Sequence, residues 1–108
     1  MTLAAKKCIP CEGGIPLLSD TEINEKLDEL NDKWILDGYK IQRSFSFVNF
    51  KQTMTFVNNV ADLAEQEGHH PVMLVEYGKC QITLWTHAIN GLSENDFILA
   101  AKIDELNL

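Results

Sequence analysis

Basic residues are scarce in this chain: 9 Lys and Arg stand against 16 Asp and Glu over 108 residues, for a net charge of −7. Such a chain has no electrostatic footprint for phosphate backbones, which argues against direct nucleic-acid binding. No apolar run is long enough to span a bilayer, so no membrane role is expected. An apolar signal-peptide core is also missing, because Met1-Thr2-Leu3-Ala4-Ala5 is followed at once by Lys6-Lys7. A cytoplasmic location is the expectation. Cysteine is sparse and odd in number, with 3 in the chain, which excludes a full disulfide framework. Cys8 and Cys11 form a lone Cys-x-x-Cys with no second Cys or His pair at zinc-finger spacing. Histidine is scarce and yet grouped: of 3 in the chain, His69 and His70 are adjacent and His87 follows downstream.

What is present reads as one domain. The hydrophobic content of 45% and charged content of 23% are those of an ordinary globular protein. Residues 1–18, punctuated by Ile9-Pro10, Gly13-Gly14 and Ile15-Pro16, read as an irregular N-terminal arm, with residues 19–108 as a single domain. Ser19-Asp20-Thr21-Glu22 is a capping box opening a helix with Ile23, Leu27 and Leu30 on its apolar face. Asp37-Gly38 predicts the turn of a hairpin whose second strand buries Ile41, Arg43, Phe45 and Phe47. Asn49 caps a long helix reaching about Glu67, with a stripe of Phe50, Met54, Val57, Ala61 and Ala64, widened by Val60 and Leu63, and a Gly68 terminator. A second hairpin turns at Gly78-Lys79, and Ser93-Glu94-Asn95-Asp96 caps a last helix. The order helix, hairpin, helix, hairpin, helix predicts an α+β fold: a four-stranded antiparallel sheet with three helices on one face.

A two-residue loop at Gly78-Lys79 would pair Tyr77 with Cys80, Val75 with Ile82 and His70 with His87. The two imidazoles would then stand ~5 Å apart on the face away from the helices, with His69 approaching from the rim. Imidazole titrates near neutrality, so paired rings can donate one proton and accept another. With no Ser or Cys in a nucleophile arrangement, addition or elimination of water suits these groups. Two other readings stay open: a three-histidine zinc site, and histidines satisfied structurally at a sheet margin.

The pattern Glu65-x-x-x-His69-His70-Pro71, Tyr77, Thr83-Leu84-Trp85-Thr86-His87 and Gly91-Leu92-Ser93-Glu94-x-Asp96 resembles the pterin-4a-carbinolamine dehydratase family. The likeness runs from about Leu18 to Leu106. It implies dehydration of 4a-hydroxytetrahydrobiopterin to quinonoid dihydropterin in tetrahydrobiopterin recycling, which follows aromatic amino-acid hydroxylation. Neither metal nor organic cofactor would be needed. His69, His70 and His87 would be the catalytic residues. Gly68, His69, His70, Trp85, Thr86 and His87 would bind the small-molecule pterin, with Glu65 and Asp96 in support. Asp96, at the third position of its helix, is equally well placed as a cap. Gly68 and Ala88 stand where relatives often carry an acid, and Trp85 where they often carry a small residue. The resemblance also implies a homo-oligomer, dimer or tetramer, and a different possible role, since animal relatives bind a homeodomain transcription factor as a dimerisation partner.

Overall fold

The computed structural model describes residues 2–10 and 15–106. Three helices, α1 (Asp20–Asp28), α2 (Phe50–Glu67) and α3 (Glu94–Leu106), accompany four strands, β1 (Ile35–Asp37), β2 (Lys40–Ser46), β3 (Val72–Glu76) and β4 (Lys79–Leu84). The strands form one antiparallel sheet in the order β1-β2-β4-β3. It is the α+β fold that the alternating helix and strand patterns imply.

Alternation decides which side chains the sheet buries. Ile41, Arg43 and Phe45 from β2 and Cys80, Ile82 and Leu84 from β4 are buried, while Ser44 and Ser46 face water. α2 and α3 cover this inner face, adding Phe56, Val57, Val60, Phe97, Ile98 and Ile103 to the core. Phe56 packs on Phe45 and Phe47, with ring centroids 4.6 and 5.1 Å away. The buried charge of Arg43 is matched by Asp104, whose Oδ1 accepts from Nη1 at 2.6 Å; Trp34 Nε1 donates to the same carboxylate at 2.8 Å.

Three local expectations are corrected. The α2 stripe is shifted: Val57, Val60 and Ala64 are buried as expected, but Thr53 and Phe56 join them, while Phe50 is exposed at the helix start and Met54 and Ala61 are only half-buried. In the first hairpin Asp37 pairs with Lys40, so the loop is Gly38-Tyr39, with positive φ at Gly38 alone. In the second, Glu76 pairs with Lys79 and Val75 with Cys80, so the loop is Tyr77-Gly78 and every partner is two residues from the expected one. Gly78 does not take a positive φ. Its missing side chain serves a close approach instead: its carbonyl accepts from Phe47 N–H at 2.7 Å, and a Cβ there would lie 2.8 Å from the Phe47 oxygen.

The first residues also do more than the irregular pattern suggests. Leu3–Ala5 forms a 3-10 turn that buries Leu3 against α3. Cys11 lies outside the described residues, so the Cys8-x-x-Cys11 pair has a structural account for Cys8 only.

Candidate active site

His69 is aimed by the end of α2. Asn49 starts that helix, its side chain accepting from Gln52 N–H at 2.8 Å, and Gly68 stops it in the left-handed region at φ 65°. Glycine takes this conformation without the Cβ penalty, so the chain reverses sharply. The next two side chains leave in different directions, as successive residues of an extended segment must. His69 turns inward and is 5% exposed, while His70 turns out to solvent.

The inward ring meets a carboxylate. His69 Nε2 lies 2.6 Å from Asp96 Oδ1, and Asp96 is fully buried. An ionised carboxylate only accepts, so the imidazole carries a proton on Nε2 and its tautomer is set. The other oxygen, Asp96 Oδ2, accepts from Thr86 Oγ1–H at 2.8 Å and from Ser93 N–H at 3.0 Å. Because the Thr86 hydroxyl proton is used in that bond, Ser93 Oγ donates to Thr86 Oγ1 across 2.7 Å. Asp96 is thus both the cap of α3 and the holder of His69, one oxygen for each task. A buried carboxylate is tolerable only with this many donors around it.

His70 and His87 occupy the outer side. His70 Nε2 lies 2.5 Å from Glu65 Oε2, one helical turn back on the exposed side of α2. His87 opens a 3-10 turn, His87–Ile89, closed by Asn90 at φ 48° and by the Thr86–Gly91 bridge. Its ring stacks on Trp85, with centroids 4.2 Å apart and planes at 27°. The first hairpin supports that indole from the tip, where Lys40 Nζ lies 4.1 Å from the ring centre and Tyr39 meets it edge-on at 6.5 Å.

The expected direct opposition of His70 and His87 across the hairpin is not formed. β3 begins at Val72 and β4 ends at Leu84, so both histidines lie beyond the paired residues. They are brought together by a different route. Gly68, His69, His70, His87 and Ala88 line one cavity of about 280 Å³. A larger hollow, about 600 Å³, lies among Leu3, Leu30 and Asp104 but holds no histidine. Chemistry, not volume, singles out the first.

Thr86 does not reach this cavity; it lies wholly buried beneath it as a support for Asp96. Trp85 backs His87 rather than lining the cavity itself. Glu65 supports one histidine and Asp96 another. Ser93 was visible in the sequence only as a helix cap, and the Tyr39-Lys40 hairpin tip gave no signal beyond its turn. Among the described residues, no group of three or more His, Cys, Asp or Glu side chains could hold a metal ion.

Comparison with known proteins gives this arrangement a context. The family described as Pterin 4 alpha carbinolamine dehydratase matches residues 16–106. Proteins provisionally named pterin-4-alpha-carbinolamine dehydratase are similar over nearly their whole length. The one from Alkaliphilus metalliredigens is 49% identical over 104 residues, covering 95% of this chain and 94% of the relative. The one from Nitrosomonas eutropha is 54% identical over 104 residues, covering 96% and 92%. Among solved structures, a transcriptional coactivator/pterin dehydratase from Brucella melitensis superposes with a TM-score of 0.79 at 36% identity, covering 84% of this chain and 98% of that one. A pterin dehydratase-like RuBisCO assembly factor of the alpha-carboxysome gives 0.56 at 28%, covering 68% and 84%. The chain belongs to the pterin-4-alpha-carbinolamine dehydratase family.

Proposed function

We propose that this protein removes water from a 4a-hydroxytetrahydropterin, giving the quinonoid dihydropterin of tetrahydrobiopterin recycling. The observation that carries the reading is the meeting of His69, His70 and His87, the chain's 3 histidines, around one cavity. In the reaction the C4a–O bond breaks and the leaving hydroxide takes a proton. N5 gives up its own proton as the C4a–N5 double bond forms. One imidazolium and one neutral imidazole therefore satisfy both ends, and no cofactor is needed.

The surroundings suggest how the work is divided. His69 is held by Asp96, whose Oδ1 lies 2.6 Å from Nε2 and fixes the orientation of the ring. His87 makes no hydrogen bond through its ring among the described residues; its plane is set by stacking on Trp85. These two serve as the acid and base at the 4a-hydroxyl and N5. His70, paired with Glu65 at the exposed rim, holds or polarises the pterin.

The test is turnover of freshly generated 4a-hydroxytetrahydropterin by purified protein, with and without a chelator. No acceleration over the spontaneous reaction refutes the dehydratase reading, and loss of activity only with chelator would bring back a metal. Replacing His69 or His87 by Ala should each lower turnover by ~10²–10⁴.

The same reading takes the protein to be a cytoplasmic homo-oligomer. No helix among the described residues is long and apolar enough to cross a membrane. Among the described residues, β1 and β3 pair on one side only, and Ile35, Val72 and Leu74 on these edge strands expose apolar side chains. Sedimentation at micromolar concentration decides this, with a strict monomer counting against it.

A further inference from the structure

Glu67 and Asn95, buried polar side chains next in sequence to the site, take no part in the proposed chemistry. Glu67 stands just before Gly68-His69 and its side chain is 5% exposed. Asn95 stands just before Asp96 and is 2% exposed. Both hold the N-terminal segment, and Glu67 Oε2 also lies 4.0 Å from Lys102 Nζ on α3. Glu67 Oε1 accepts from Cys8 N–H at 2.9 Å. Asn95 grips the next residue twice: its Oδ1 accepts from Ile9 N–H at 3.0 Å, and its Nδ2 donates to Ile9 O at 2.7 Å. The Cys8 thiol closes on Asn95 O at 3.6 Å. Farther back, Lys6 pairs with Glu94 at 2.9 Å and Lys102 Nζ donates to Ala4 O at 2.7 Å, so the segment runs along α3 from its first turn to Lys102.

Two consecutive residues of main chain therefore bridge the end of α2 to the beginning of α3. These are the helix ends that carry His69 and Asp96, and the 2.6 Å bond between those side chains depends on their separation. The family match begins at residue 16, so the bridge lies outside it. We propose that the Cys8-Ile9 main chain is a strap that positions the His69–Asp96 pair, with Glu67 and Asn95 as its anchoring residues. The proposal rests on the reading of His69 as a reacting group. Glu67 and Asn95 are positioning residues; they act through the strap and touch no substrate. It also accounts for Cys8 as a packed thiol rather than a reactive one.

The test cuts the strap in two ways. Asn95→Ala removes the double grip on Ile9. Ile9→Pro removes one donor of that grip from a residue whose side chain is 59% exposed, so it spares the core if the first variant folds poorly. Misplacing a catalytic group by a fraction of an ångström is enough to lower kcat about tenfold, with KM little changed. That result is expected for both variants, together with a shift or broadening of the His69 ring signals in long-range nitrogen–proton NMR. Phe45→Leu, a core truncation whose ring packs on Trp34 and Phe56 rather than on the N-terminal segment, supplies the comparison at a matched loss of Tm. Unchanged kcat and unchanged His69 signals in the strap variants overturn the proposal. So does a Phe45→Leu variant that reproduces both effects, because the role would then be stability alone. If the unmodified protein shows no turnover, the dehydratase reading fails, and the His69 signals still decide the strap.

Discussion

Asp96 offers the sharpest separation of structural from chemical roles, because its two oxygens do different things. Asp96→Ala would strip the acceptor from three donors at once: the Thr86 hydroxyl, Ser93 N–H and His69 Nε2–H. Thr86 can turn its proton toward Ser93 Oγ, 2.7 Å away, and so recover a partner. Ser93 N–H and His69 cannot, since Asp96 is wholly buried and water has no ready access. Two stranded donors at ~1–3 kcal/mol each give a loss of about 4 kcal/mol. Against a total stability of ~5–15 kcal/mol this is severe, and poor expression would be no surprise.

Asp96→Asn is the informative variant. Its carboxamide oxygen can keep Thr86 and Ser93, which preserves the cap of α3. The amide then points its N–H groups at His69 Nε2, where a hydrogen already sits in the native tautomer. The ring must shift its proton to the other nitrogen or turn away. A charge-assisted bond is replaced by a neutral one at best, for a loss of about 1–2 kcal/mol. Turnover should suffer far more, by ~10²–10⁴, because the ring would present the wrong protonation to its substrate. Urea unfolding followed by circular dichroism gives the stability, and steady-state dehydration gives kcat. If Asp96→Asn unfolds as calculated but keeps kcat within about threefold of the parent, Asp96 is a helix cap and the argument for a His69 dyad fails.

Other positions carry narrower expectations. Asp104→Ala would strand the Arg43 guanidinium, which is 7% exposed, and cost about 3–5 kcal/mol in urea unfolding; a loss under about 1 would mean that Arg43 finds water. Gly68→Ala should cost about 1 kcal/mol and Gly68→Asn less, since a Cβ there meets nothing within 4 Å and only the positive φ is penalised. Burial and the neighbouring Glu67 push the Cys8 thiol up to about 12 from its ordinary 9.0, so alkylation by iodoacetamide at mildly alkaline pH should run orders of magnitude slower than for an unfolded-peptide thiol. The sign for stability follows: the unfolded chain releases this proton first, so stability is full below pH 9 and falls as pH rises toward 12, more steeply in the parent than in Cys8→Ala. Equal slopes would show that the thiol is not buried in solution. Glu94 moves the other way. Its bonds to Lys6 and Lys26 hold its carboxyl below the usual value, so this contribution exists above about 4.5 and is lost in acid.

The sequence made the fold legible because its periodicities are clean and its punctuation has a mechanism. Ser19-x-x-Glu22 forms both halves of its capping box, and Gly68 sits in the left-handed region as an ending glycine should. The turns were less legible. Gly38 and Gly78 both mark hairpin tips, but only Gly38 has a positive φ. The requirement at Gly78 comes from Phe47, 31 positions away in the chain, whose carbonyl leaves no room for a Cβ. Local turn chemistry could not reveal a contact of that range, and the hairpin register was displaced by two residues as a result.

That displacement explains why the three histidines meet at one cavity although the expected strand pairing does not bring them there. Side chains along a strand alternate with period two, so a slip of two residues leaves every residue on its face. Cys80, Ile82 and Leu84 stay in the core under either register, and Met73 and Val75 stay against it. The cost is borne at the open end of the hairpin, where the strands have already parted and His87 has entered a 3-10 turn. There the histidines are gathered not by strand pairing but by chain reversals: Gly68 at the end of α2, and the Thr86–Gly91 bridge before α3. Both reversals converge on Asp96, which receives His69 from the first and Thr86 from the second. A buried carboxylate at the third position of a capped helix is therefore the element on which this site's geometry depends. Its dual use was present in the spelling Ser93-x-x-Asp96, but only the packing of α3 against the end of α2 shows what its second oxygen is for.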